Sequence, residues 1–259
     1  MHNYGSVYLS RYLIAANWKM NGSPALVREM ALALSLMKQA SLDLAIFPPF
    51  PFLSDAVKAF AGVASVGAQH VSEYHEGAFT GEISGSMLKA IGVTAALVGH
   101  SERRQLYGET DALAGQRLVN LAKQNIHPIL CVGETLVQRE EAKVESVILN
   151  QLSALDALSD GNECQTQLTI AYEPVWAIGT GQQASPDQAN EVHEFIRRCI
   201  RKSYPSFEPG LRVLYGCSVK ADNVRPFLQQ PSVDGVLVGG ASLSVDGFLA
   251  LCTEALLVD

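Results

Sequence analysis

Short runs of aliphatic and β-branched residues recur along this chain of 259 residues, and each is followed by a longer amphipathic stretch. They predict eight strands: Leu13–Asn17, Leu42–Phe47, Val63–Gln69, Ala95–Val98, Pro128–Val132, Leu168–Tyr172, Arg212–Tyr215 and Gly235–Val238. The strands begin about 32 residues apart on average, the length of one strand–loop–helix unit. Most of them are apolar without alternation, as parallel strands covered on both faces are. The pattern therefore predicts an α/β fold with a parallel sheet.

The stretches between the strands carry helix start signals. Ser23-Pro24 and Ser185-Pro186 each place a capping residue before a proline at the first helical position, and Gln188 completes a capping box with Ser185. Apolar residues at three- and four-residue spacing predict one amphipathic helix over Leu136–Leu158. Strands and helices are thus expected to alternate along the chain.

Eight such units correspond to one (β/α)8 barrel, a fold of about 250 residues. No linker, charge run or low-complexity tract divides them. We therefore expect residues 1–259 to form a single (β/α)8 domain, with about residues 1–11 as an N-terminal extension that is either disordered or a result of start-site choice. A doubly wound open sheet is the alternative, because periodicity alone does not show whether the sheet closes.

The composition indicates a folded chain with a large core. Hydrophobic residues make up 48% of the chain and charged residues 17%, whereas an average domain has about 25% charged residues. Disordered, collagenous and coiled-coil proteins have the opposite bias and are excluded. The net charge is −7 at pH 7 and lysine and arginine form no long run. Neither nucleic acid nor an anionic membrane is therefore an expected partner.

The cysteines indicate a reducing compartment. Five are present, widely spaced and never in a C-x-x-C pair, which disfavours a disulfide framework and a zinc site. The N-terminal segment has no apolar stretch of signal-peptide length, and no window approaches the roughly 18 apolar residues of a membrane helix. We expect a cytoplasmic protein.

Polar and glycine-rich segments follow the ends of five predicted strands. They are Asn17-Trp18-Lys19, Gly99-His100-Ser101-Glu102-Arg103-Arg104, Tyr172-Glu173-Pro174, Tyr215-Gly216-Cys217-Ser218 and Gly239-Gly240-Ala241-Ser242. In a (β/α)8 barrel all strands end at one rim, where the active sites of such enzymes lie. A lysine, an imidazole, a carboxylate and two Gly/Ser turns at one rim predict an enzyme site for a small anionic substrate. Because the sequence has no P-loop, dinucleotide fingerprint or His/Cys cluster, no cofactor and no metal are expected.

Five segments resemble the triosephosphate isomerase family, in the family's order and at about its spacing. They are Ala16–Gly22, Val98–Arg104, Leu130–Thr135, Ala171–Gly181 and Val238–Leu243. The resemblance implies a TIM barrel that interconverts dihydroxyacetone phosphate and D-glyceraldehyde 3-phosphate in glycolysis and gluconeogenesis. A proton moves between adjacent carbons through an enediol or enediolate, without a cofactor. A barrel that acts on another sugar phosphate, or a catalytically silent phosphate-binding module, is the alternative reading.

The resemblance assigns roles to five residues. Glu173 matches the base, and His100 the electrophile that polarises the substrate carbonyl. His100 precedes an apparent helix start, whose positive end disfavours an imidazolium and favours a neutral ring. Lys19 supplies positive charge and Asn17 a polar contact, while Glu102 matches an orienting partner of Lys19.

The resemblance also places phosphate binding and a lid. Backbone N–H groups at Ser218, Gly239 and Gly240 match the phosphate-binding positions. The lid corresponds to Pro174, Val175, Trp176, Ala177, Ile178, Gly179, Thr180 and Gly181. Gly179 is expected to bring its N–H to the phosphate on closure, and the closed lid excludes water from the intermediate.

The loop from Tyr74 to Ile83 resembles the family's dimer loop. It carries two aromatic residues, Tyr74 and Phe79, which would be a liability at the surface of a monomer. We therefore expect an isologous homodimer in which Phe79 and Thr80 make contacts between subunits. Thr80 would lie near Asn17 and His100 of the partner subunit.

Three positions depart from the family pattern. Cys217 stands where the second glycine of Tyr-Gly-Gly-Ser is usual, and we hypothesise that it biases the lid and adds an oxidisable group. The alternative is that Cys217 keeps a negative φ and simply fits. Gln182 replaces a lysine after the lid, and His70 replaces an asparagine after the third strand.

Overall fold

The computed structural model describes residues 12–37, 42–159, 167–178 and 183–258. Eight parallel strands close into a barrel in chain order, with the last strand paired to the first. The strands are β1 (Tyr12–Asn17), β2 (Leu42–Phe47), β3 (Ser65–Ala68), β4 (Ala95–Val98), β5 (His127–Val132), β6 (Thr169–Tyr172), β7 (Arg212–Tyr215) and β8 (Gly235–Val238). The predicted (β/α)8 barrel is confirmed, and the open sheet is wrong.

Helices cover the outside of the barrel. They are α1 (Pro24–Ser35), α2 (Leu53–Ala59), α3 (Gly85–Ala90), α4 (Ser101–Tyr107), α5 (Asp111–Lys123), α6 (Leu136–Glu140), α7 (Val144–Leu152), α8 (Asp156–Ser159), α9 (Pro186–Ser203), α10 (Val224–Leu228) and α11 (Val245–Leu256). The cap at Ser23 and the capping box of Ser185 with Gln188 are both confirmed. None of the helices in these described ranges combines the length and apolarity needed to cross a membrane.

The barrel has two apolar layers because alternate residues of each strand face opposite sides. A small inner cluster holds Leu13, Ala15, Ala45, Phe47, Ala95, Leu97, Ile129, Cys131, Ala171, Leu214 and Leu237. The residues between them join a larger cluster with the helices. Gly67 makes room for the inward ring of Phe47, since a Cβ on Gly67 would lie 2.1 Å from that ring. Residues that continue the inward alternation beyond the strand ends point toward the mouth of the barrel.

One helix prediction is wrong. The stretch Leu136–Leu158 holds α6, α7, a 3₁₀ turn and the start of α8 instead of a single helix. Ala142 has a φ of 55°, in the left-handed region, and a right-handed helix cannot continue through it. The apolar spacing persists across this break, so hydrophobic periodicity could not reveal it. The prediction for residues 1–11 lies outside the described residues.

Candidate active site

The carboxyl ends of the strands surround a cavity of about 310 Å³ at the mouth of the barrel. It is lined by Asn17, Lys19, His100, Glu173, Ile178, Gly216, Cys217, Ser218, Val219, Lys220, Leu237, Gly239, Gly240 and Ala241. Seven of the expected catalytic and phosphate-binding residues, together with Ile178 of the predicted lid, are therefore brought together here. Glu102 lies beside the cavity, in contact with Lys19. Gly179 lies outside the described residues.

Strand alternation explains why two of these side chains reach the cavity. Ala15 and Ala171 belong to the inner cluster of the barrel. Asn17 comes two residues after Ala15, and Glu173 two residues after Ala171. Because side chains alternate along a strand, both side chains point inward as the two alanines do. Both are nearly inaccessible to solvent, at 5% and 3% exposure.

Lys19 is held in an uncommon backbone conformation. Its φ is 51°, in the left-handed region that a residue with a Cβ seldom adopts. The Lys19 amide donates to Asn17 Oδ1 at 3.0 Å, and Gln69 Nε2 donates to the carbonyl oxygens of Lys19 and Phe47 at 2.8 Å each. At the other end of the side chain, Lys19 Nζ lies 2.6 Å from Glu102 Oε1. Both ends of Lys19 are thus fixed, which aims its charge at the cavity.

His100 caps the start of α4. Its Nδ1 accepts a hydrogen bond from the amide of Glu102 at 3.2 Å, which is the N-cap contact of that helix. Its Nε2 lies 3.2 Å from Asn17 Nδ2 and 3.0 Å from Glu173 Oε1. A nitrogen that accepts from an amide has no proton of its own, so the ring proton belongs at Nε2, facing the cavity.

Glu173 follows β6 and is anchored at both ends. Its amide donates to Val132 O at 2.7 Å. Its carboxylate contacts His100 through Oε1 and accepts from the amide of Ser101 through Oε2 at 2.9 Å. Gly216 lies against it, since a Cβ on Gly216 would come within 3.0 Å of Glu173 Cγ. The base expected from the sequence is therefore a buried carboxylate with little room to move sideways.

Glu173 and His100 change each other's pKa. Burial raises the pKa of Glu173, but the charge and hydrogen bond of His100 and the Ser101 amide outweigh burial and hold that pKa below its usual value. Burial lowers the pKa of His100, and the Glu173 carboxylate outweighs it and raises that pKa. The Glu102 amide opposes a second ring proton, because that proton and the amide would compete for Nδ1. This contact favours the neutral ring, which stays a prediction.

Asn17, Lys19, His100 and Glu173 line one half of the cavity, and the loops after β7 and β8 form the other half. Cys217, Ser218 and Lys220 line it from the first of these loops, and Gly239 and Gly240 from the second. Gly239 lies against Lys19, since a Cβ on Gly239 would be 3.4 Å from Lys19 Cε. The residues that line this half include the lysine Lys220, and Lys19 lies against Gly239 at its edge. That arrangement suits a phosphate.

Cys217 fits its turn without strain in this conformation. Among the described residues other than glycine, a positive φ occurs at Lys19, Asn125 and Ala142, and not at Cys217. Its thiol is buried, and burial raises its pKa. A thiol that stays protonated reacts slowly with oxidants. The geometry therefore favours the reading in which Cys217 simply fits.

The first part of the predicted lid lies beside the cavity. Val175–Ala177 form a 3₁₀ turn, and Ile178 lines the cavity. Glu134, which is fully buried, holds this turn: its carbonyl accepts from the amide of Val175 at 3.0 Å and its Oε1 from Trp176 Nε1 at 2.9 Å. The predicted lid residues Gly179, Thr180 and Gly181, together with Gln182, lie outside the described residues.

The predicted dimer loop projects its aromatic residues. Tyr74 and Phe79 stack on each other, with ring centroids 3.6 Å apart and planes 7° apart, and both are exposed. Asn120 holds the base of the loop by donating to the carbonyls of Ser72 and Tyr74. Thr80 is exposed as well. The loop is therefore anchored at its base and presents an apolar tip.

Five residues of the site escaped the sequence reasoning. Gln69, Ser101, Gly133, Gly216 and Lys220 act by position, and their neighbours come from other strands. Gly133 shows this best: a Cβ there would lie 1.7 Å from the carbonyl oxygen of Glu173, which follows a different strand. For Gly133 and Gly216 the signal available in the sequence was a glycine directly after a predicted strand, and for Gln69 a polar residue at the end of one. In the part of the chain that the structure describes, no three His, Cys, Asp or Glu side chains gather as a metal site would require.

Comparison with known proteins gives one consistent result. The family model described as triosephosphate isomerase matches residues 12–255. A triosephosphate isomerase of Alcanivorax borkumensis is 47% identical over 244 residues, covering 94% of this chain and 98% of the relative. Those of Thiobacillus denitrificans and Chromohalobacter salexigens are 46% and 47% identical, covering 95% and 94% of this chain and 99% and 98% of the relatives.

Proposed function

This chain belongs to the triosephosphate isomerase family and interconverts dihydroxyacetone phosphate and D-glyceraldehyde 3-phosphate, and we propose that Glu173, His100 and Lys19 carry the reaction. The single observation that supports this assignment best is the pairing of a buried carboxylate with an imidazole at 3.0 Å inside one cavity. A lysine and an anion-binding half complete that cavity. Isomerisation of a triose phosphate needs these three kinds of group.

The reaction begins with removal of a proton from carbon. Glu173 takes a proton from the hydroxyl-bearing carbon next to the carbonyl, which leaves an enediolate, and later returns it to the former carbonyl carbon. The hydrogen bonds that Glu173 accepts from the Ser101 amide and from His100 Nε2–H favour the ionised carboxylate, as a base must be at neutral pH. Once substrate is bound, the carboxylate exchanges its contacts with His100 and Ser101 for the reacting carbon.

Negative charge then develops on the substrate oxygens. His100 Nε2–H, no longer occupied by Glu173, donates to the carbonyl oxygen and moves protons between the two oxygens. Asn17 Nδ2 lies next to that nitrogen and offers a second donor. Lys19 adds positive charge, while Glu102 keeps its Nζ in place. Preoriented donors in a buried site stabilise an enediolate more than mobile water does.

The phosphate binds in the other half of the cavity. The backbone N–H groups of Ser218, Gly239 and Gly240 hold it, and Gly179 joins them when the lid closes. A phosphate there fixes the substrate so that its reacting carbons lie at Glu173. The closed lid excludes water, which protects the intermediate from losing its phosphate.

Replacing the base tests this assignment. We expect Glu173→Gln to lower kcat about 10³-fold, within the range that one proton-transfer group contributes. KM should change little, because the amide has the size of the carboxylate. The matched control is Glu208→Gln, which removes an exposed partner of Arg201 and should leave kcat unchanged. Isomerisation measured through a coupled reduction of dihydroxyacetone phosphate checks both. A Glu173→Gln enzyme with parental kcat would overturn the assignment.

We further propose that the protein works as a homodimer in the cytoplasm, each subunit being one barrel domain. The exposed stack of Tyr74 and Phe79 supports the dimer, because a monomer would leave it in water. Met20 supports it too: this residue follows Lys19 directly and is 93% exposed. In the described part of the chain Cys131, Cys199, Cys217 and Cys252 are free thiols, as in a reducing compartment.

A further inference from the structure

Gln151 makes a two-point contact with the peptide that follows β5. Its Oε1 accepts from the amide of Gly133 at 2.7 Å, and its Nε2 donates to the carbonyl of Gly133 at 3.0 Å. One side chain from α7 thus binds both polar groups of a single loop residue. A two-point contact of this kind fixes the rotation of the peptides around Gly133 as well as their position.

Gly133 in turn touches the main chain of the proposed base. A Cβ on Gly133 would lie 1.7 Å from the carbonyl oxygen of Glu173 and 2.6 Å from its carbonyl carbon, so only glycine fits between them. One residue earlier, Val132 O accepts from the Glu173 amide at 2.7 Å. The position of Glu173 is therefore set by the two residues Val132 and Gly133.

The residue after Gly133 holds the start of the lid. Glu134 binds the amide of Val175 through its carbonyl and the indole of Trp176 through its side chain. A change in the peptides around Gly133 would thus reach Glu173 and the lid together. Gln151 itself does not line the cavity.

We infer that Gln151 is a positioning residue for the proton transfer, and that it acts on Glu173 through Gly133. It touches no substrate; it fixes the peptide against which the base is packed. Proton transfer is sensitive to such support, because a misplacement of about 1 Å can cost on the order of 10²-fold in rate. The inference rests on the assignment of Glu173 as the base.

The test replaces both hydrogen bonds by an apolar chain of similar length. We expect Gln151→Met to lower kcat about 10-fold to 100-fold per folded protein. KM and the inhibition constant of inorganic phosphate should change by less than about twofold, because β7 and β8 form the phosphate half. The matched control is Gln138→Met, which removes a contact to the amide of Thr135 in the same connection without touching Gly133. It should lower stability and leave kcat unchanged.

A second variant keeps the inference testable if Gln151→Met folds poorly. In Gln151→Glu the introduced carboxyl group can replace both hydrogen bonds only when it is protonated. Its kcat relative to the parent should therefore rise as the pH falls toward about 4.5. Unchanged kcat in Gln151→Met, equal losses in Gln138→Met, or a pH-independent Gln151→Glu would each overturn the inference. A failure of the base assignment is distinguishable, because it appears in Glu173→Gln whatever Gln151→Met does.

Discussion

Glu109 is a buried carboxylate that binds the backbone and two arginines next to His100. Its side chain is 1% exposed, and it accepts from the amide of Gly99 at 2.8 Å and from Arg103 Nε at 2.9 Å. It also pairs with Arg117. Burial raises the pKa of Glu109, but Arg117, the Gly99 amide and Arg103 outweigh burial and hold it below 4.5. Since Gly99 directly precedes His100, this one carboxylate supports the loop that carries His100.

The low pKa of Glu109 predicts how stability depends on pH. A carboxyl group whose pKa is lower in the folded protein contributes stability above its unfolded pKa, and that stability is lost as the pH falls through the folded pKa. We expect Glu109→Gln to lower the free energy of unfolding by about 3 kcal/mol at pH 7, because it removes the charge that pairs with the buried guanidinium of Arg117 and the partly buried one of Arg103. The difference from the parent should shrink below about pH 4.5.

Urea unfolding at several pH values and one protein concentration checks this prediction. The exposed pair of Arg201 with Glu208 provides the control, and Glu208→Gln should cost less than about 1 kcal/mol at every pH. Equal losses for the two variants, or a loss for Glu109→Gln that does not depend on pH, would show that the buried charge is not what stabilises this loop.

At the scale of elements, strand prediction succeeded where burial on both faces leaves a continuous apolar run. Ala95–Val98 and Gly235–Val238 are buried throughout, and they begin and end as predicted. Val63–Gln69 shortens to Ser65–Ala68, since its last residue turns its side chain to the carbonyls of Lys19 and Phe47. The break at Ala142 depends on a backbone angle that apolar spacing does not encode.

The start of the lid offers a test at the same scale. Trp176 and Tyr172 both donate to Glu134 Oε1, at 2.9 and 3.1 Å, but only Trp176 belongs to the proposed lid. Removing either donor, in Trp176→Phe or Tyr172→Phe, should lower the free energy of unfolding by about 1 kcal/mol. Trp176→Phe alone should also raise the fraction of turnovers that release inorganic phosphate, because its lid closes less tightly over the intermediate.

Phosphate release per turnover, measured beside isomerisation, separates the two variants. An increase that is the same in Tyr172→Phe would mean that Glu134 acts on the site as a whole and not on the lid.

For the whole molecule, closure of the barrel is what creates the site. Asn17 and His100 lie 83 residues apart in the chain yet 3.2 Å apart in space, and Ser101 reaches Glu173 across 72 residues. Local sequence patterns predict strands and helices, and they indicate that the carboxyl ends of the strands lie at one rim of the barrel. They do not indicate which side chains from different strands are in contact there. Which side chains meet there depends on strand order and register. For this reason the residue roles came from family resemblance, while supports such as Gly133 and Gln69 emerged only from the three-dimensional structure.

The exposed tip of the Tyr74–Ile83 loop allows a test of the proposed homodimer. In an isologous dimer each Phe79 is buried once per subunit, so a substitution acts twice. We expect Phe79→Ser to weaken the dimer by about 4 kcal/mol, a roughly 10³-fold rise in its dissociation constant. Because the loop is expected to reach the partner's Asn17 and His100, kcat should fall over the same dilution range. Sedimentation velocity and kcat at matched concentrations test this, with Leu32→Ser, an exposed apolar residue of α1, as the control. A Phe79→Ser monomer with full kcat would show that each barrel is catalytically self-sufficient.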